Sequence, residues 1–289
     1  MINRGILSLC LALGSCIAQK PSLPPPPGPV TYTIGNPYQA GGEWRYPRNF
    51  NSYDVTGIST VIADGAPPYT ADNEVYDPQA LAAASPVLPL PSIVTITNLV
   101  NGYSVDVRVN DRGPEMPGRV IAVTPRVAQL LGYPSGGVVE VEVVLNAPET
   151  AALDASLGAG PKLTAAPVAG ITAQSLGPPG STAGSVQNLT PAQDRGTAAP
   201  AVQLSGAVTV TGPSNGPLYV QIPGFGREFD AYNVMNELGG MTAHIVPTFT
   251  DGRTLYAVNV GPYHSVEDAD AALQQILGLG ITDPEIIVR

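Results

Sequence analysis

Cysteine, histidine, aromatic side chains and charge are all scarce in this chain, and each shortage removes a class of chemistry. The only cysteines are Cys10 and Cys16, so nothing beyond the first 16 residues can contain a disulfide or a thiolate metal site. The only histidines, His244 and His264, lie near the C-terminus, which excludes a Ser-His-Asp triad or a histidine-rich zinc centre in the first two thirds. Charged residues make up 12%, and 13 Lys and Arg against 23 Asp and Glu give a net charge of −10, which argues against a nucleic-acid binder. What abounds instead is glycine and proline, 32 and 31 of 289 residues, more than one compact domain absorbs. At roughly 100 to 200 residues per domain, this composition predicts two modest domains joined by a strap.

Residues 1–15 read as a secretory signal, with Arg4 as the positive start and Ile6 to Leu13 as an apolar run too short to span a bilayer. Leu13-Gly14-Ser15-Cys16 looks like a bacterial lipobox, in which Cys16 becomes the lipidated first residue and anchors the chain by its acyl groups. Ile17 follows, not the Asp that retains such lipoproteins in the inner membrane, so an outer-membrane anchor facing the periplasm is expected. Residues 16–30 include a polyproline-like spacer, Gln19 to Pro29.

Residues 31–146 carry short, β-branched segments: Gly57 to Ile62, Ile93 to Thr97, Ser104 to Val109, Val120 to Val123 and Val139 to Val144. Asn101-Gly102 between two of them signals a hairpin, because both residues tolerate a positive φ. Helices are expected at Pro78 to Ala84 and at Pro125 to Leu131, the second closed by Gly132. The pattern predicts a small, mostly-β barrel. Residues 147–207 hold no aromatic residue and five charges, and read as a disordered linker that cannot bury enough apolar area to order itself.

Residues 208–289 read as strand Leu218 to Ile222, helix Phe229 to Leu238, strand Ala243 to Pro247, a turn at Asp251-Gly252, strand Leu255 to Val260, helix Val266 to Leu277 and strand Glu285 to Val288. This βαββαβ order is an α+β split-βαβ fold. Ser265 to Asp268 supplies a capping-box-like start, and Gly239-Gly240 and Gly278 stand where helix C-caps belong.

Three blocks of the first domain resemble the RlpA family of septal lytic transglycosylases, whose core is a double-psi β-barrel. They are Tyr32-x-x-Gly35-x-Pro37-Tyr38 with Trp44, Tyr46 and Pro47; Thr70 to Asp77 with Leu81 to Ala84 and Leu88 to Pro91; and Thr97-Asn98-Leu99 through Asn101-Gly102 to Asn110-Asp111-Arg112-Gly113-Pro114, with Gly118-Arg119. The last segment is similar to a SPOR domain, the module that binds glycan strands lacking stem peptides, through Tyr219 to Ile222, Gly224-Phe225, Ala231, Leu238 and Leu255 to Tyr263.

The resemblance implies a lyase that cleaves peptide-free peptidoglycan strands and leaves 1,6-anhydro-muramic ends, acting at the division septum beside division proteins, with no metal or organic cofactor. One carboxyl suffices for such a reaction, because the muramic 6-hydroxyl is an intramolecular nucleophile. The family's pattern places the active carboxylates at Asp111, as acid/base, and Glu74, as the partner that tunes it or stabilises positive charge; the two roles are exchangeable. Arg112 and Asn110 beside them are substrate-binding candidates. Asn110 to Pro114 also reads as a plain turn, capped by Asp111. In the C-terminal domain Gln221, Phe225, Tyr256 and Asn259 are candidates for lining a glycan groove, although strand alternation must turn some of them to the core. His244 reads as a sheet histidine and His264 as a turn residue. The linker is expected to let a tethered barrel search the wall once the C-terminal domain is bound.

The chain departs from the family at three places. Ser85 stands where the family has a His, Ala122 where it has an Asp, and Thr60-Val61-Ile62-Ala63 where it has Ser-Trp-Tyr-Gly. Two rival readings follow: a septal glycan-binding protein with an inactive barrel, and a conventional hydrolase with a water held between Glu74 and Asp111.

Overall fold

The computed structural model describes residues 29–157, 203–250 and 252–289; the expected signal, the lipidation site at Cys16 and most of the spacer lie outside the described residues. A small hairpin comes first, β1 (Tyr38–Ala40) and β2 (Glu43–Arg45), followed by β3 (Asp54–Val61), β4 (Ala82–Ala84), β5 (Ser92–Asn98), β6 (Tyr103–Asp111), β7 (Arg119–Val123), helix α1 (Pro125–Leu130) and β8 (Val138–Leu145). Strands neighbour one another in the order β4, β7, β3, β8, β5, β6, and β4 pairs again with β6 to close a six-stranded barrel. The β3–β7 and β4–β6 pairs are parallel and the others antiparallel, the double-psi arrangement. Alternate residues fill the interior: Val105, Val107 and Val109 of β6 meet Val94 and Ile96 of β5 and Val141 and Val143 of β8.

Two local expectations need correction. The helix expected at Pro78 to Ala84 is absent; Ala82–Ala84 is strand, held between β6 and β7, and Ala83 is fully buried. Alanine's helix preference yields here to the ladder on both sides. The hairpin loop between β5 and β6 runs from Leu99 to Gly102, four residues, and only Gly102 takes a positive φ, 75°. Asn98 closes it by accepting from the Val100 amide on its side chain and from the Gly102 amide on its carbonyl. Helix α1 forms as expected, with the Thr124 hydroxyl capping its start and Gly132 at φ 67° following its end.

The stretch read as linker starts with order. Residues Ala147–Ser156 form helix α2, capped by Asn146, whose side chain accepts from the Glu149 amide. The helix is pinned to the barrel by the Thr150 hydroxyl, which bonds both the amide and the carbonyl of Ile93, and by the buried side chain of Leu153. Residues 158–202 lie outside the described residues. At the far end, β9 (Thr209–Val210) pairs with Tyr103 and Ser104 of β6, so the chain is back on the barrel before the second domain begins.

Asp154 of α2 carries a testable penalty. Burial raises its carboxyl to about 6, and its Oδ1 has no hydrogen-bond partner among the described residues. A raised carboxyl disfavours the ionised folded state, so the cost is nil below the unfolded value, grows as pH rises between the two values, and is complete above the folded one. Asp154→Asn is therefore expected to stabilise the protein above pH 6 by about 1 kcal/mol, after allowance for solvent screening, and to be neutral near pH 3.5. Thermal melts of both proteins at the two pH values check this.

The second domain is built from β10 (Leu218–Phe225), α3 (Glu228–Glu237), β11 (Ala243–Thr250), β12 (Arg253–Tyr263), α4 (Val266–Gly278) and β13 (Glu285–Val288). Its antiparallel sheet has the order β11, β12, β10, β13, the split-βαβ fold, and both helices cover one face. That face supplies Leu218, Val220, Ile222, Val258, Val260 and Ile286 to a core with Ala231, Leu273 and Ile276. Ser265 caps α4 through its Oγ, which accepts from the Asp268 amide at 3.1 Å. Gly278 is the last residue of α4, not its cap; the left-handed residue is Gly280, φ 82°.

Candidate functional site

The site forms where the C-terminal end of β6 meets the loop from Thr70 to Glu74. That loop is a tight turn, bridged at Tyr69 and Val75, in which Asn73 adopts φ 73°, a conformation that asparagine tolerates better than most residues. On β6, Val109 pairs with Ala83 while Asp111 pairs with Ala84, so Asn110 is an extra residue and the strand bulges. The bulge breaks the alternation and lets both Asn110 and Asp111 address the same loop. Asn110 Nδ2 donates to Glu74 Oε2 at 2.7 Å, and Asp111 Oδ1 accepts from the Ala71 amide at 2.9 Å and the Arg112 amide at 2.8 Å. Asp111 Oδ2 makes no hydrogen bond among the described residues. Burial raises the Asp111 carboxyl above the ordinary carboxylate range, against the opposing pull of those two amides and the Arg112 charge. A carboxyl so placed is fit to be protonated and to give the proton away.

Two further residues belong to the site that the sequence reading did not single out. Arg108 Nη2 lies 2.5 Å from Glu74 Oε1 and 3.6 Å from Asp72 Oδ2, so one guanidinium serves two carboxylates. Asp72 is fully buried; its Oδ1 accepts from the Thr70 hydroxyl at 2.7 Å and the Glu74 amide at 3.2 Å. Burial, followed by the nearby Glu74 charge, raises its carboxyl, while the Thr70 hydroxyl and Arg108 work the other way. The i, i+2 spacing of Arg108 and Asn110, and of Asp72 and Glu74, is the signal that could have found them.

Arg112 is placed otherwise than expected. Its Nη1 donates to the carbonyls of Leu88 at 2.5 Å and Ser85 at 3.3 Å, and its Nη2 to that of Ile34 at 2.6 Å. The guanidinium thus ties two backbone segments, at Ile34 and at Ser85 to Leu88, to the end of β6. Ser85 lies beside the site, its amide donating to the Asp111 carbonyl at 3.0 Å, but its hydroxyl accepts from the Val87 and Leu88 amides and caps a turn. Ala122 is buried and pairs with Ala84. Two cavities, of about 360 and 410 Å³, lie elsewhere, one lined by residues that include Asn98, Glu140 and Val266 and the other by residues that include Val61, Gln129 and Tyr133; neither touches Asp111 or Glu74.

In the C-terminal domain the four candidates divide between two faces. Gln221 and Asn259 pair across β10 and β12, and Gln221 Nε2 donates to Asn259 Oδ1 at 2.8 Å. His244 of β11 and Glu285 of β13 extend this pair into a polar row across all four strands, on the face opposite the helices. Asn259 is fully buried and its Nδ2 has no partner among the described residues. Phe225 and Tyr256 instead pack against the apolar core, because an irregularity between Ile222 and Phe225 shifts the register and turns Phe225 to the helix side.

Residues 54–143 match a family described as lytic transglycolase, and residues 214–286 match the SPOR domain. The chain is 32% identical over 269 residues to the endolytic peptidoglycan transglycosylase RlpA of Pseudomonas aeruginosa, covering 87% of this chain and 76% of that protein. It is 38% identical over 168 residues to the protein of that name from Yersinia pestis, with 50% and 45% covered, and 32% identical over 167 residues to that of Escherichia coli K12, with 49% and 46% covered.

Proposed function

Because this chain belongs to the RlpA family of endolytic peptidoglycan transglycosylases, we propose that it is a lytic transglycosylase whose barrel cleaves peptidoglycan strands lacking stem peptides, guided by its SPOR domain. The observation that carries this reading is the Asp111 carboxyl, fixed by two amides on Oδ1, raised by burial, and free on Oδ2. Asp111 Oδ2 gives its proton to the glycosidic oxygen as the bond from C1 to that oxygen breaks. Glu74, a carboxylate held by Asn110 and Arg108, stabilises the positive charge that develops at C1. The muramic 6-hydroxyl then attacks C1, its proton passes to Asp111, and the acid is restored with a 1,6-anhydro ring as product.

Binding of the bare strand falls to the polar row of His244, Gln221 and Glu285, braced by the buried Asn259, since polar side chains accessible on a sheet face suit sugar hydroxyls. The chain acts at the division septum, anchored through Cys16 in the outer membrane among division proteins. A second reading, a glycan-binding septal lipoprotein with a silent barrel, is favoured by one observation: the Ser85 hydroxyl caps a turn and offers no proton relay.

The deciding experiment is mass spectrometry of peptide-free glycan strands incubated with the purified protein. Anhydro-muramic ends are the expected product. Reducing ends would indicate a hydrolase, and intact strands that co-sediment with the protein would indicate the silent barrel.

A further inference from the structure

The outer wall of a small barrel ordinarily faces water, yet in β3 Gly57, Ile58 and Ser59 are all buried in succession. The side chain of Ile58 points away from the barrel interior and joins the core cluster of the second domain, as do Leu99 and, at its edge, Val138. Around this apolar centre the surfaces interlock. Thr56 Oγ1 donates to the Val288 carbonyl at 2.8 Å and accepts from the Val288 amide at 3.1 Å, and so satisfies the free edge of β13. Arg119, with only 4% of its side chain exposed, forms two parallel hydrogen bonds of 2.7 Å to Asp270 on α4. A Cβ added at Gly57 would lie 3.0 Å from the Ile286 carbonyl, and one at Gly118 3.1 Å from Leu273 and from Ile286. Small residues stand where the other domain comes closest.

We infer that this face of the barrel is a docking surface whose partner is the chain's own C-terminal domain, and that the two domains work as one body. A barrel alone would expose Ile58 and Leu99 to water and separate Arg119 from Asp270, its one ion-pair partner among the described residues. The interface has the composition of a specific one: an apolar centre, a bidentate arginine and backbone groups satisfied from across the seam. It lies on β3 and β7, while the Asp111 site lies on β4 and β6, so docking leaves the site uncovered.

The test needs no glycan. A protease site inserted at Asn215, between β9 and β10, in the chain from residue 17 onward allows the connection between the domains to be cut after folding. The cut protein is expected to elute in gel filtration at micromolar concentration as one species of the uncut size. Asp270→Lys, a change at a half-exposed helix position, is expected to weaken the association of the cut pieces by about a hundredfold or more, since it sets a second cation against Arg119. Cut pieces that separate while each keeps its circular dichroism would overturn the inference, and so would a cut Asp270→Lys protein that holds together as tightly as the parent.

Discussion

Asp111→Asn is expected to lower the rate of anhydro-end formation by about 10² to 10⁴ without changing the thermal midpoint. The asparagine carbonyl can still accept from the Ala71 and Arg112 amides, the hydrogen bonds that the Asp111 side chain makes among the described residues, so the loop and the bulge keep their geometry. What is lost is the proton. Glu74→Gln is expected to cost less, because an amide retains the contact with Asn110 and gives up only the charge that faces Arg108. Side-by-side rates for the three proteins on peptide-free strands check the order. The reverse order would exchange the roles of the two carboxyls. On the proposed mechanism the acid form of Asp111 is the working one, and its carboxyl is raised by burial, so the parent's rate should decline as rising pH deprotonates it.

The ion pair between Arg119 and Asp270 is expected to respond very unequally to the loss of either partner. Asp270→Ala strands a guanidinium whose side chain is 4% exposed and whose Nε already lacks a partner. The expected cost is about 3 kcal/mol, a fall in melting temperature of roughly 10 °C for a unit of this size. Arg119→Ala instead strands a carboxylate that is 35% exposed and can turn to water, and is expected to cost about 1 kcal/mol. Thermal melts of both variants and of the double variant separate desolvation from attraction: the double should be close to Arg119→Ala. Equal costs for the two single variants would mean that the seam is wetter than its burial indicates.

Where the chain's own pattern is strong, the fold is legible in it. β6 alternates valines with polar residues from Ser104 to Val109, and β13 appears with the bounds expected. The errors cluster where a partner distant in sequence decides. Ala82–Ala84 has a helical composition and becomes strand because β6 and β7 flank it. Helix α2 hides in an Ala-rich stretch that looks like linker, although Asn146 and Glu149 are spaced as a cap, because its stability comes from Thr150 and Leu153 on the barrel.

The candidate site was half legible. Its carboxylates stood in a motif, but Arg108 and Asp72 gain meaning only once the bulge at Asn110 brings strand and loop together. Arg112 shows the converse, a motif residue whose guanidinium is engaged by the carbonyls of Ile34, Ser85 and Leu88. Phe225 is a groove candidate by its aromatic ring alone, and the register shift between Ile222 and Phe225, which no local pattern announces, turns it to the core.

The return of the chain to the barrel at β9 changes what residues 158–202 can govern. Helix α2 and β9 both sit on the barrel, so the intervening stretch starts and finishes on the same body. Its length then sets no distance between catalytic and binding surfaces, and a doubling of it would alter closure by only about 0.6 kcal/mol. Relatives could gain or lose residues there without retuning the enzyme. On the proposed anchoring at Cys16, how deep the pair reaches into the wall becomes a property of residues 16–30 alone, and lengthening that stretch is the way to move the whole unit outward.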